Sequence, residues 1–165
     1  MVNATDGKNN KMKKEKIHYT EGMLFQVRLT SRYLSLMGTQ VFEKLSMPIS
    51  FEDYLILDII SYNEGICHRD LAKMLLRDRS NLGKIVSKLE QLKLVKVKLD
   101  TRNNRTVKKI YITDKGCNLC DKIYEKVEPH INFVMNRIDT KEQELVSNSL
   151  MKFRQILDEL VETKI

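Results

Sequence analysis

Between Asp78 and Lys93 the residue types fall into two sets when wound on a helix. Leu82, Ile85, Val86, Leu89 and Leu92 share one arc, and Ser80, Asn81, Lys84, Ser87, Lys88 and Gln91 share the other. The second set holds amides, hydroxyls and ammonium groups with no carboxylate among them. Such groups match the edges of duplex DNA. Asn and Gln pair bidentately with adenine, Lys meets guanine acceptors or phosphate, and Ser suits several edges. An α-helix fits the major groove, so one face can read bases while its margins meet phosphates. An ordinary solvated face is the competing reading, but such a face usually mixes both charge signs. Arg79, Ser80, Asn81, Lys84, Ser87 and Lys88 are therefore the DNA-contact candidates on this helix.

The neighbouring elements must position that helix. A short helix over His68–Leu76, a turn at Arg77 and the helix from Asp78 make a helix-turn-helix unit. Two β-rich runs follow, Leu94 to Leu99 and Val107 to Ile112, and the turn-rich link at 100–106 makes them a hairpin. Its tip residues Arg102, Asn103, Asn104 and Arg105 suit an adjacent minor groove, whose negative potential attracts arginine, or form a plain solvated turn.

Upstream, apolar residues from about Ile17 to Leu45 recur at helical spacing, and Met47-Pro48 ends that helix. Ser50 is placed to cap a helix over Phe51–Tyr62, with Asp53 as its acidic partner, burying Tyr54, Leu55, Leu57, Ile59 and Ile60. Asn63-Glu64-Gly65 is a turn signal. Downstream, Thr113-Asp114-Lys115-Gly116 starts a helix expected to end near Glu128-Pro129, and a last helix runs from Asp139 or Thr140 to the C-terminus. The apolar run Leu150 to Val161 suits packing within the chain or a two-fold interface; C₂ homodimers are common, which favours the interface. Residues 1–16 are polar and lysine-rich and read as a disordered basic arm, which either touches phosphates or solubilises.

The whole chain has 165 residues, with 29 basic against 22 acidic side chains and a net charge of +7, an excess that suits a polyanionic partner. No stretch approaches the ~20 apolar residues of a membrane span, and the N-terminus has no apolar signal region, so a cytoplasmic protein is expected. Cys67, Cys117 and Cys120 do not make a secreted disulfide framework; they are expected as reduced, mostly buried thiols, with redox or metal sensing as the sharper alternatives. There is no Gly-rich phosphate loop, no metal-ligand cluster and no paired nucleophile and base. We therefore expect no enzyme, no metal site and no cofactor.

The stretches ISFEDYLILDII, GICHRDLAKMLLRDRSNLGKIVSKLEQLKLV and DTRNNRTVKKIYITDKG resemble the MarR family of winged helix-turn-helix regulators, with the likeness extending from about residue 17 to 165. The resemblance implies a mainly α fold with a small β-hairpin wing, and long terminal helices that form a homodimer on pseudo-palindromic DNA. In domain terms it implies a winged lobe at 47–113 and dimerisation helices at 17–46 and 114–165. Carried over by position, Ser80, Asn81, Lys84 and Lys88 lie on the recognition helix, and Arg102 and Arg105 lie in the wing. It also suggests repression relieved by a small-molecule effector, for which Phe25, Tyr33, Met37, Tyr54 and Leu57 are candidate pocket residues or simply core.

This sequence departs from the family pattern in three places. Cys67 stands where a Ser or Thr cap is usual, Asn104 and Thr106 stand at wing positions usually held by Asp and Arg, and Gly83 lies inside the recognition helix. A winged-helix protein-interaction adaptor and a thiol-redox-responsive regulator are the alternative functions.

Overall fold

The computed structural model describes residues 18–102 and 105–161, without the side chains of Arg102 and Arg105. The expected arm at 1–16 and the tip residues Asn103 and Asn104 lie outside the described residues. The chain divides into two compact units, Met1–Met37 and Gly38–Ile165.

In the first unit a 3₁₀ turn, Tyr19–Glu21, precedes the start of helix α1, Met23–Lys44. The helix begins later than the apolar spacing implied, because Gly22 is extended. Tyr19 meets the Phe25 ring edge-on at 5.7 Å.

The second unit holds the end of α1 and the rest of the fold. Ser46 turns left-handed at φ 49°, and the Met47 amide closes back on the Phe42 carbonyl at 3.0 Å, which ends α1. Helix α2, Phe51–Tyr62, then starts on the expected capping box. The Ser50 hydroxyl accepts from the Asp53 amide at 3.1 Å, and the Asp53 carboxylate accepts from the Ser50 amide at 3.3 Å. Its buried face is Asp53, Tyr54, Ile56, Leu57 and Ile60. Leu55, expected inside, is 43% exposed; positions 53, 56, 57 and 60 share the helical face that meets the core, and 55 does not.

A two-residue strand that the sequence did not signal, β1 (Ile66–Cys67), pairs antiparallel with β3 (Arg105–Ile112), which pairs in turn with β2 (Val95–Arg102). Gly65, at φ 73°, makes the turn into β1. The hairpin is longer than expected. Residues 100–102 and 105–106 continue the ladder through Asp100↔Val107, Thr101↔Thr106 and Arg102↔Arg105. Polar residues mask the strand pattern there, but paired threonines and the 2.6 Å ion pair between Asp100 and Lys109 suit a two-sided exposed ribbon.

Between β1 and β2 lie α3 (His68–Leu75) and α4 (Arg79–Gln91). Helix α5 spans Asp114–Met135, capped by the Thr113 hydroxyl. It does not end at Glu128-Pro129 as expected. Pro129 removes one backbone donor, but the turns on either side keep theirs, and Val127 just before it is anchored in the core. Helix α6, Thr140–Leu160, opens on a capping box of Asp139 and Glu142 and buries no residue. The core joins α2, α3, α4, the sheet and α5 through Leu57, Ile60, Leu71, Leu82, Leu89, Ile110 and Ile123. Among the described residues no helix is long and apolar enough to cross a membrane.

Candidate nucleic-acid interface

The unit that presents α4 is built turn by turn. Cys67 precedes α3 without a side-chain cap bond, as its chemistry led us to expect, since a thiol is a poor acceptor. Leu76 ends α3 in the left-handed region at φ 49°, and the Arg77 amide returns to the Ala72 carbonyl at 3.0 Å. Asp78 then caps α4, its carboxylate accepting the Ser80 and Asn81 amides at 2.8 and 3.0 Å.

Leu82, Val86 and Leu89, each no more than 1% exposed, anchor α4 in the core, with Ile85 half-buried beside them. Leu92, expected on the same arc, sits at the C-terminal cap and is 38% exposed. Its backbone is still helical and its amide reaches the Lys88 carbonyl at 3.0 Å, so its exposure reflects its place at the helix end rather than a change of phase. On the opposite side Arg79, Ser80, Asn81, Lys84, Ser87, Lys88 and Gln91 are all exposed.

Between α3, α4 and the hairpin runs a groove of about 920 Å³, whose walls include His68, Ser80, Gly83, Lys84, Gln91 and Lys108. Glu90 also borders it, so a carboxylate stands at the margin of the amide and ammonium strip. That carboxylate accepts the Val97 amide at 3.2 Å and so ties α4 to β2. His68 is held below its ordinary pKa, first by burial and then by the positive charge of Lys108, with Glu90 opposing.

The two candidate lysines differ. Lys84 extends from the groove side without an ion-pair partner among the described residues. Lys88, although 54% exposed, places its ammonium 2.5 Å from the carboxylate of Asp53, which is 3% exposed. Burial alone would raise Asp53. The hydrogen bonds from Lys88 and Ser50 and the charge of Lys88 outweigh it and hold the carboxyl below its ordinary value. Beside it Glu52 pairs with Arg77, in the turn before α4. These pairings went unread in the sequence, where only the capping box singled out Asp53.

The backbones of Arg102 and Arg105 form the last described pair of the hairpin ladder, and Asn104 lies outside the described residues. Among the pocket candidates, Tyr54 and Leu57 are sealed in the core of the second unit. In the first unit Phe25 and Met37 are half-buried and Tyr33 is exposed. Cys117 is exposed and Cys67 half-buried. Cys120 is buried, and burial, followed by the nearby acidic groups, pushes its thiol up to about 12. Such a thiol is a poor nucleophile. Among the described residues no three His, Cys, Asp or Glu side chains gather as a metal site.

Residues 49–107 match the family model described as MarR family. Among curated proteins the chain is 25% identical over 136 residues to an uncharacterized HTH-type transcriptional regulator, YybA, of Bacillus subtilis (strain 168), covering 82% of this chain and 89% of that protein. Among solved structures it is similar to a MarR/EmrR family transcriptional regulator from Acinetobacter sp. ADP1, with TM-score 0.75, 18% identity, and 87% and 99% of the two chains covered. It is also similar to a MarR family regulator from Listeria monocytogenes complexed with 26mer DNA, with TM-score 0.70, 22% identity, and 84% and 90% covered. These structural likenesses establish the winged-helix fold.

Proposed function

Through residues 49–107 the chain belongs to the MarR family, and from that premise we propose that it is a homodimeric transcription regulator, a repressor, that reads a pseudo-palindromic site in double-stranded DNA. The observation that carries this reading is the division of α4. Its leucine and valine side is locked in the core, while Ser80, Asn81, Lys84, Ser87 and Gln91 stand exposed on the other side. Asn81 and Gln91 suit adenine, Lys84 suits guanine or phosphate, and Arg102 and Arg105 at the hairpin end suit the flanking minor groove. The Listeria neighbour, solved with DNA, supports the same use of the fold. A role on chromosomal DNA fits a protein that works in the cytoplasm.

The homodimer is supported by the terminal helices. No residue of α6 is buried, and Leu145, Val146, Leu150, Met151, Ile156 and Leu160 are exposed along it. A row of that kind is what a second copy covers, and two copies present two α4 helices to half-sites about one helical turn apart. A small effector fits this reading if it binds unequally to two spacings of the paired reading helices. Phe25, Tyr33 and Met37 offer it aromatic and apolar surface.

Selection of bound fragments from random genomic DNA, followed by footprinting, tests the proposal. The expected result is a protected pseudo-palindrome. Enrichment of no fragment would refute it and leave the adaptor reading in its place.

A further inference from the structure

We infer that the first turn of α2 is a two-point clamp on the reading helix, and that Lys88 serves DNA recognition as a positioning residue acting through Asp53, without touching the duplex. The inference rests on the reading of α4 as the DNA-reading helix.

Two adjacent acidic residues reach two separate points on the helix-turn-helix. Glu52 holds Arg77, immediately before α4, and Asp53 holds Lys88, about three helical turns further on. Leu82, Val86 and Leu89 seat α4 in the core, and two polar attachments that far apart add a restraint on its tilt. Asp53 is itself fixed, because it lies buried in the first turn of α2 and closes the capping box with Ser50, while Glu52 beside it reaches Arg77 from a half-exposed side chain. The carboxylate therefore waits at a set place, and Lys88 comes to it.

The energetics favour keeping Lys88 there. Asp53 is almost wholly buried, and a buried carboxylate that loses its cation is left uncompensated. A DNA phosphate is exposed to water and screened by counterions, and drawing Lys88 to it would leave Asp53 without its partner. Lys84, with no such tie among the described residues, remains available to the duplex. The clamp thus sets how Ser80, Asn81, Lys84 and Ser87 are offered to bases, while Lys88 stays out of the contact.

The test uses the full chain and the fragment selected above. Affinities of wild type, Lys88→Gln, Asp53→Asn and the double variant are measured over a salt series, alongside thermal unfolding. The clamp predicts that Lys88→Gln weakens binding of the selected fragment roughly tenfold and leaves the salt slope unchanged. It also predicts that the double variant binds no worse than Asp53→Asn alone. A slope reduced by roughly 0.9, the signature of one lost phosphate contact, overturns it. So does a loss from Lys88→Gln that persists undiminished beside Asp53→Asn. If Lys88→Gln alone does not fold, the double variant, which buries no unpaired charge, supplies the slope that decides. A wild-type chain that selects no fragment overturns the DNA reading as well, whereas a reduced slope on a selected fragment overturns the clamp alone.

Discussion

The Asp78 carboxylate accepts the backbone N–H of Asn81 at 3.0 Å, and that of Ser80 at 2.8 Å. Helix N-termini attract anions, and here the protein supplies the anion itself. The backbone donors of Ser80 and Asn81 are thereby used, and their side chains are left for the groove. Replacing Asp78 with Ala should cost about 1 kcal/mol of stability, read by denaturant unfolding. Unchanged stability would mean the cap contributes nothing.

Gly83 lies inside α4, yet a Cβ built on it meets no atom within 4 Å. Nothing in the fold therefore requires glycine there, and the helix bears its entropic cost. Gly83→Ala should raise the stability of the isolated protein by roughly 0.5–1 kcal/mol. A loss of DNA affinity accompanying that gain would show that the bare backbone lies against the duplex. A fall in stability would contradict the open space observed around it.

Local chemistry was legible in the sequence, and long-range pairing was not. The bounds of α2 and its Ser50–Asp53 box could be read because a cap and an apolar period lie within a dozen residues. The anchored and exposed sides of α4 were readable for the same reason. Lys88 was read as one more cation on the exposed side, since nothing near it in sequence announces a carboxylate 35 residues away. The hairpin was read short because polar strands facing solvent on both sides lack alternation. The passage of α5 through Pro129 was missed because a proline's local penalty can be outweighed by the packing of the turns around it, here through Val127.

Asp53 gives the fold a pH dependence of definite sign. Its folded pKa lies below its unfolded value, so its contribution is complete above the unfolded value of about 3.9 and is lost as pH falls through the lower folded value. Lys88→Gln removes the strongest compensating bond. Its stability deficit against wild type should be full at neutral pH and close as acid protonates Asp53. Thermal unfolding between neutral pH and pH 2 would show this; a deficit independent of pH would contradict the pairing.

The exposed apolar row of α6 should carry association. If the proposed dimer forms through this row, wild type should sediment at twice the 19.4 kDa of the chain, and Leu150→Glu combined with Leu157→Glu should sediment as the single chain and lose binding to the selected fragment. Secondary structure measured by circular dichroism should persist, because neither residue belongs to the core of the winged lobe. A dimer that survives both charges would move the interface elsewhere.

The most direct measurement compares Asn81→Ala and Lys84→Ala with wild type on the selected fragment and on random-sequence DNA of equal length. If α4 reads bases, Asn81→Ala should weaken the selected fragment by about 1–3 kcal/mol and leave random DNA almost untouched. Lys84→Ala should weaken both, and the selected fragment more. Equal losses on the two DNAs for both variants would contradict the claim that this helix reads sequence.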